Sequence, residues 1–227
     1  MPSRISIIIP AFNEESSIGF VLDALPQNLI HEIIVVNNAS TDDTARVATQ
    51  HGARVVEETR RGYGSACLKG MEELDAPDIV VFLDGDFSDY PEEITELIKP
   101  IEKGEKDFVL GSRMLLPESR MALLPQARYG NQLAVFLINL FFDYRFTDLG
   151  PFRAIRYDSL LDIGMQDTNF GWTVEMQIKA VKKKLRIQEV PVKYRERVGV
   201  SKITGTIKGT LGAGTKIIYT IFKYLLT

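Results

Sequence analysis

The sequence predicts an α/β fold in which a mostly parallel central sheet is flanked by helices. Five short apolar runs lack polar alternation, as expected for strands whose two faces are both covered by helices. Segments of helix length lie between these runs, and this alternation indicates βαβ units. The predicted strands span residues 5–10, 32–36, 54–57, 78–83 and 107–111.

Four helices are predicted between these strands, mainly from polar residues that cap helix ends and from a proline suited to a first turn. Asn13 caps the first, Ser40 or Thr41 caps the second at 42–51 before Gly52, the third lies within 62–74, and Pro91 opens the fourth, which ends near Gly104. Beyond residue 113 the alternation of strands and helices is lost.

The length fits one large domain, or one domain with an appendage, and the charge is unevenly distributed. The chain has 227 residues and a net charge of −3, but residues 179–227 contain twelve Lys or Arg and only two Glu. A basic end on an acidic body suggests an anionic partner, although a solvated helix face is the favoured explanation of a charge run taken alone. The one cysteine, Cys67, excludes an internal disulfide and fits a reducing compartment.

Two apolar segments follow the predicted sheet. The first, at 133–142, has ten residues, whereas a membrane-spanning helix needs about 20, so a buried or interfacial helix is expected. The second, at 206–226, carries Lys208, Lys216 and Lys223 at spacings that place them on one helix face. This segment is predicted to lie on a membrane surface or to pack on the domain.

The central chemical signal is Asp84-Gly85-Asp86, which directly follows the apolar run DIVVFL. In open α/β sheets, ligands bind beyond the carboxyl ends of the strands. Two carboxylates separated by one small residue suit a hard divalent cation such as Mg²⁺ or Mn²⁺, which completes its shell with phosphate oxygens. Acidic loops are common, so this pattern needs support from other strand ends.

Polar segments also follow the first two predicted strands. Residues 10–14 read PAFNE, and residues 37–44 read NNASTDDT. Each segment alone is explained by an ordinary connection from a strand to a helix. Together with Asp84-Gly85-Asp86 they form three candidate segments at one edge of the sheet, which indicates a ligand site. No GxGxxG motif follows the first strand, which argues against a dinucleotide-dependent dehydrogenase.

In order, these segments resemble glycosyltransferase family 2 and its GT-A fold, a Rossmann-like fold of nucleotide-diphospho-sugar transferases. The match comprises PAFNEE, VVNNASTDDT, RRGYGSACLKG, FLDGD and GSR. The resemblance implies a nucleotide-diphosphate sugar donor and Mg²⁺ or Mn²⁺. It implies donor-binding residues Pro10, Phe12, Glu14, Asn37, Asn38, Asp84 and Gly85, metal ligands Asp84 and Asp86, and catalytic residues Asp86 and Arg113.

The second half of the chain resembles the dolichyl- or polyprenyl-phosphate mannosyl- or glucosyltransferase branch. The segments are RYGN at 128–131, TDLGPFR at 147–153, FGWTVE at 170–175 and RERVGVSK at 195–202. The resemblance implies acceptor contacts from Arg128, Asn131 and Arg153, donor contacts from Arg197 and Ser201, and a catalytic Lys202 at the donor phosphates. Arginine suits bidentate phosphate contact, whereas lysine acts as a point charge.

Three departures from the family pattern stand out. Asn37-Asn38 replaces a pair of aspartates, which leaves the choice of base open. Ser88-Asp89 replaces a glutamine and a histidine, and serine is the poorer metal ligand. Gly150-Pro151 replaces a small residue followed by glycine before Phe-Arg.

The chain contains no Glu-Asp dipeptide, although relatives that glycosylate hydroxyl groups carry one as the general base. A hydroxyl needs a base, whereas a phosphate monoester is already anionic, so the absence favours a phosphate acceptor. Asp167 or Glu175 is the alternative base. An inverting hexosyltransferase acting on polyprenyl phosphate is therefore predicted. A soluble hydroxyl acceptor, or nucleotide-sugar binding without turnover, is the alternative.

We expect a catalytic domain at 1–205, with a nucleotide-sugar half at 1–113 and an acceptor half at 114–205, followed by an amphipathic basic segment at 206–227. The N-terminal residues show no secretory leader. The sequence therefore predicts a cytoplasmic protein, peripheral at the inner face of the membrane, with no nucleic-acid partner. It leaves the sugar, the base and the oligomeric state open.

Overall fold

The computed structural model describes residues 2–199 and 207–226, which form one seven-stranded mixed sheet with helices on both faces. The strands are β1 Ile5–Ala11, β2 Glu32–Asn37, β3 Arg54–Glu57, β4 Ile79–Phe82, β5 Phe108–Ser112, β6 Arg153–Arg156 and β7 Ile187–Pro191. The helices are α1 Ile18–Ala24, α2 Thr44–Gln50, α3 Tyr63–Glu72, α4 Ile94–Glu102, α5 Pro117–Ala122, α6 Pro125–Phe141, α7 Tyr157–Ile163, α8 Trp172–Lys182 and α9 Ile207–Leu226.

The strand order is β3-β2-β1-β4-β6-β5-β7. Strand β1 lies between β2 and β4 with parallel pairing, and β2 pairs in parallel with β3. Strand β6 runs antiparallel to both β4 and β5, and β5 pairs in parallel with β7. All five predicted strands are present, and the predicted mostly parallel sheet gains one antiparallel strand in its middle.

Strands β6 and β7 were missed because their local sequences do not read as apolar runs. Strand β6 has an arginine at each end, and β7 carries Gln188 and Glu189 between its apolar residues. Arg153 is nevertheless fully buried, because its strand crosses the middle of the sheet. The position of a strand within a sheet is a tertiary property, which explains why local polarity misled the prediction.

The predicted helix caps are wrong. Helix α1 begins at Ile18 and α2 at Thr44, several residues beyond Asn13 and Thr41. Asn13 instead adopts φ 54°, and its Oδ1 accepts a hydrogen bond from the Thr41 amide at 2.8 Å. The backbone amide of Asn13 donates a hydrogen bond to Ser40 Oγ at 3.0 Å. These polar side chains therefore tie together the loops that follow β1 and β2.

The core consists of two apolar clusters, one on each face of the sheet. Side chains alternate along β1, so that Ile8 belongs to one cluster and Ile7 and Ile9 to the other. The first cluster includes residues of α3, α6, α8 and α9, and the second includes residues of α1 and α4. Burial on both faces accounts for the uniformly apolar strands of the sequence.

Both apolar segments beyond the predicted sheet are helical. Residues 133–141 fall within α6, which buries Ala134, Val135 and Ile138 and exposes the opposite face. Helix α9 is continuous despite its glycines and packs against α6 and α8, with the rings of Phe141 and Phe222 5.7 Å apart. Among the described residues, none of the helices has both the length and the apolarity needed to cross a bilayer.

The Ile8→Ala variant tests the two-sided core. Ile8 is fully buried in β1 and opposes Ile34 and Phe82 on the neighbouring strands. We expect the free energy of unfolding to fall by about 2–5 kcal/mol, because the truncation leaves a cavity. Urea denaturation measures this change. Leu161→Ala on exposed α7 is the control and should change stability by less than about 0.5 kcal/mol; equal losses would contradict the described core.

Candidate active site

A cavity of about 310 Å³ opens beyond the carboxyl ends of β1, β2 and β4. This volume lies at the lower end of the range for small-molecule sites. The structure brings most of the predicted donor-binding residues to its wall. The wall comprises Pro10, Ala11, Phe12, Glu14, Asn38, Arg61, Gly62, Tyr63, Ala66, Asp84, Gly85, Asp86, Asn169, Phe170 and Arg197.

The carboxylates of Asp84 and Asp86 lie at the base of this cavity, because β4 ends there between β1 and β6. The Tyr63 hydroxyl donates to Asp84 Oδ1 at 3.0 Å. Burial, reinforced by the neighbouring charge of Asp86, raises the pKa of Asp84 to about 7. Burial and the neighbouring carboxylate therefore favour a bound proton or cation at Asp84.

Ser88 and Asp89, which depart from the family pattern, have distinct environments. The amide and hydroxyl of Ser88 donate to Asp86 Oδ1 at 2.9 and 2.5 Å, so Ser88 orients this carboxylate. Asp89 is buried, and neither of its carboxylate oxygens has a hydrogen-bond partner within the described ranges 2–199 and 207–226. Burial, with the charge of Asp84, raises the pKa of Asp89 well above its usual range.

Arg197 bridges two acidic residues across the cavity. One guanidinium nitrogen lies 2.6 Å from Glu14 Oε1 and the other lies 3.2 Å from Asp86 Oδ2. The backbone is held in place because the amide of Val198 donates to the carbonyl of Asp86 at 3.0 Å. Arg195 instead stacks over the Phe87 ring at 3.6 Å, away from the cavity wall. Arg197 thus places a guanidinium on the cavity wall between the two carboxylates.

The two asparagines that follow β2 have different roles. Asn38 lines the cavity, and its Oδ1 accepts a hydrogen bond from the Gly62 amide at 2.8 Å. Asn37 does not line the cavity, because its Nδ2 donates to the Glu57 carboxylate at 2.8 and 3.0 Å. Asn38 therefore links the β2 loop to the start of α3.

Seven residues on the cavity wall were not among the predicted site residues, and four of them carry polar or aromatic side chains. Arg61 and Tyr63 fall within the recognised RRGYGSACLKG segment, and the Arg61 guanidinium lies 4.3 Å from the centroid of the Phe12 ring. Their position in that segment was the available signal. Asn169 and Phe170 come from a distant part of the chain, where only the FGW segment marked the region.

Asp167 and Glu175, the alternative general bases, are engaged in structural contacts. Glu175 is fully buried beside Lys179, at 2.8 Å, and accepts a hydrogen bond from the Tyr224 hydroxyl at 2.5 Å. Asp167 Oδ2 lies 2.8 Å from Lys216 Nζ. Neither carboxylate lines the cavity at the strand ends, and both are held by these contacts.

A second cavity of about 230 Å³ lies between α6 and α9. Its wall is mostly apolar, with Arg113 and Asn131 among its polar residues. Arg113 donates to both carboxylate oxygens of Asp148 at 2.8 Å and lies 5.0 Å from the centroid of the Tyr194 ring. Burial alone would lower the pKa of Arg113, but the Asp148 carboxylate outweighs it and raises that pKa overall.

The remaining predicted residues occupy different places. Asn131 lines the second cavity, and its Oδ1 accepts a hydrogen bond from the Leu149 amide at 2.8 Å. Arg128 lies over the Tyr129 ring at 5.5 Å and is not on that wall. Arg153 reaches neither cavity: it donates to the carbonyl of Thr173, and burial lowers its pKa to about 10. Ser201 and Lys202 lie outside the described residues.

The predicted metal ligands number two, Asp84 and Asp86. Among the described residues, no group of three or more His, Cys, Asp or Glu side chains is arranged to hold a metal. Mg²⁺ and Mn²⁺ bind through one or two protein carboxylates when phosphate oxygens complete the shell. The two aspartates therefore fit a cation that arrives together with a diphosphate.

The sequence model described as glycosyl transferase family 2 matches residues 6–162. An uncharacterized glycosyltransferase of Mycobacterium tuberculosis is 35% identical over 208 residues, covering 91% of this chain and 93% of that protein. Undecaprenyl-phosphate mannosyltransferase of Micrococcus luteus is 31% identical and covers 91% of this chain and 90% of its own. UDP-N-acetylglucosamine–dolichyl-phosphate N-acetylglucosaminyltransferase of Methanococcus voltae is 30% identical, with coverages of 83% and 84%.

Among solved structures, glucosyl-3-phosphoglycerate synthase from Mycobacterium tuberculosis, in complex with Mn²⁺, UDP-glucose and phosphoglyceric acid, superposes with a TM-score of 0.77. It is 23% identical and covers 98% of this chain and 80% of that chain. This likeness confirms the predicted GT-A fold. Because the family match spans more than half of the chain and a relative 35% identical covers nine-tenths of it, the chain belongs to glycosyl transferase family 2 and is a glycosyltransferase.

Proposed function

We propose that this glycosyltransferase moves a hexose from a nucleotide-diphosphate sugar to a polyprenyl phosphate, with inversion at the anomeric carbon. The observation that carries the proposal is the cavity that joins Asp84, Asp86 and Arg197. It unites a carboxylate pair suited to a divalent cation with a guanidinium suited to phosphate. A nucleotide diphosphate presents the matching groups, namely phosphate oxygens and a cation shared with the protein.

The donor is proposed to lie across the carboxyl ends of β1, β2 and β4. Phe12, stacked by Arg61, offers a flat surface to the base, and Asn38 lies nearby on the same wall. The diphosphate is proposed to extend toward Arg197, which lies between the carboxylates of Glu14 and Asp86. Ser201 and Lys202, which follow a few residues later in the chain, are proposed to contact the same phosphates.

Asp84 and Asp86 are proposed to hold Mg²⁺ or Mn²⁺, which would neutralise charge on the departing diphosphate. The fit is chemical, because oxygen ligands suit these cations and burial next to Asp86 disfavours the free charge on Asp84. Arg197 already occupies one oxygen of Asp86. Donor binding is therefore proposed to shift Arg197 from this carboxylate to the phosphates.

A phosphate acceptor is supported by three observations. Two relatives at 30% identity or more carry polyprenyl-type phosphate acceptors in their names. The mostly apolar second cavity has Arg113 on its wall, so a lipid chain and its phosphate would meet matching surfaces. The candidate bases Asp167 and Glu175 are held in other contacts. A phosphate oxygen is anionic and attacks the anomeric carbon without a base, while the bond to the diphosphate breaks.

The exposed faces of α6 and α9 are proposed to rest on a lipid surface. Leu133, Phe136 and Leu140 lie along one exposed face of α6, with spacings of three and four residues. Helix α9 exposes Tyr219 and Phe222 beside them. The many basic residues of 179–227 complement anionic headgroups, which favours a membrane over a second copy of this chain.

The donor site is tested by thermal unfolding with UDP, GDP and their sugars, each with Mn²⁺ or EDTA. One nucleotide should stabilise the protein only with the cation, by about 2.7 kcal/mol at about 100 times its dissociation constant. Asp86→Asn should abolish this shift and lower transfer by about 100-fold or more. Asp75→Asn, an exposed aspartate, is the matched control. Wild-type behaviour of Asp86→Asn would refute the metal site.

The acceptor is tested with a labelled donor sugar and either undecaprenyl phosphate in detergent or water-soluble hydroxyl acceptors. We expect label in the lipid phase only, because the phosphate attacks without a base. Arg113→Lys should reduce this transfer by about tenfold, since lysine cannot keep the bidentate contact with Asp148 that holds the cation at the second cavity. Transfer to a soluble hydroxyl acceptor alone would exclude the lipid acceptor while leaving the donor site intact.

The membrane surface is tested by sedimentation with vesicles of anionic phospholipid. Phe136→Asp, at a side chain 61% exposed, should weaken partitioning by about tenfold, because apolar area no longer enters the interface. Leu161→Asp, at a side chain 55% exposed on α7, serves as the control. Equal effects of the two substitutions would contradict this surface.

A further inference from the structure

Helix α9 contacts one wall of the donor cavity through a single stripe of side chains. Lys216, Thr220 and Tyr224 are four residues apart and therefore share a helix face. Lys216 Nζ lies 2.8 Å from Asp167 Oδ2, and the Tyr224 hydroxyl donates to Glu175 Oε1 at 2.5 Å. The stripe thus joins α9 to the loop at 166–171 and to the first turn of α8.

The two acidic partners of this stripe also shape the loop itself. Glu175 accepts hydrogen bonds from the amides of Gln166, at 3.1 Å, and Asp167, at 2.6 Å. Asp167 Oδ1 accepts hydrogen bonds from the amides of Asn169, at 2.8 Å, and Gly171, at 3.2 Å. Four backbone amides of the loop therefore depend on two carboxylates that α9 contacts.

The loop forms part of the donor cavity through Asn169 and Phe170. It also packs tightly, because a Cβ atom on Gly171 would overlap Thr220 Oγ1 of the stripe. A displacement of α9 would thus reach the cavity wall through direct contacts. Lys216 and its partner Asp167 are largely shielded from solvent, with side-chain exposures of 35% and 9%, so their attraction is less screened than that of a surface pair.

We propose that Lys216 and Tyr224 are positioning residues that hold the loop at 166–171 in its donor-binding shape. The inference rests on the proposed function, because it treats this loop as one wall of the nucleotide site. Seating of α9 on the domain and binding of the nucleotide are then coupled, so that each favours the other. Neither side chain touches the donor; both act through Asp167 and Glu175.

The Lys216→Gln and Tyr224→Phe variants test the proposal. Calorimetry with Mn²⁺ and the nucleotide should show affinity weakened about fivefold in each, because an ordered wall is lost. The KM for the donor should rise while kcat stays within about twofold, since the reacting atoms are untouched. Hydrogen exchange should quicken at the amides of 166–171 but not in β1.

Two further variants separate positioning from general destabilisation. Lys216→Arg preserves the ion pair with Asp167. Its nucleotide affinity and its rate of hydrogen exchange at 166–171 should therefore match those of the wild type. Lys183→Gln removes an exposed pair with Asp162, at 2.8 Å, and should change neither quantity. Wild-type affinity and wild-type loop exchange in Lys216→Gln and Tyr224→Phe would overturn the inference. Failure of the wild-type protein to bind any nucleotide would instead overturn the proposed function, while loop exchange would still test the link to α9.

Discussion

Two carboxylates at the end of a strand buried on both faces constrain much of this molecule. Asp84 and Asp86 follow β4 at the base of the cavity, where burial raises the pKa of Asp84 to about 7. An ionised pair in such a position is stable only with compensating donors. Tyr63 supplies a hydroxyl to Asp84, and Ser88 and Arg197 serve Asp86. This need for compensating donors holds both the start of α3 and the segment at 195–198 close to the end of β4.

The backbone at the start of α3 also approaches the loop at 166–171 very closely. Gly62 has φ +151°, and a Cβ atom there would overlap the carbonyl oxygen of Thr168. A Cβ atom on Gly64 would likewise overlap the carbonyl oxygen of Asp167. The start of α3 therefore lies directly on the loop at 166–171, and a wall of the cavity forms between two segments about one hundred residues apart. Larger residues at either glycine would separate the wall from the carboxylates.

Helix α9 contacts both proposed substrate regions, because its different faces lie against different parts of the domain. One face meets the donor-site loop through Lys216 and Tyr224. Another exposes Tyr219 and Phe222 beside α6, where the proposed lipid surface lies. The second cavity, with Arg113 on its wall, lies between these helices. Under the proposed function, lipid contact and donor binding would thus act on the same helix.

Five strands of a mostly parallel sheet and the polar residues at their ends, including Asp84, Asp86 and Asn38, could be predicted from the sequence. This was possible because apolar runs and the residues that follow them are local patterns, and parallel strands carry their ends to one edge. Tertiary structure decided the antiparallel β6, the burial of Arg153, the bridge from Arg197 to Glu14 and Asp86, and the loop that carries Asn169. Those features join residues far apart in the chain. Their contacts stabilise the protein only after the sheet has brought the partners together.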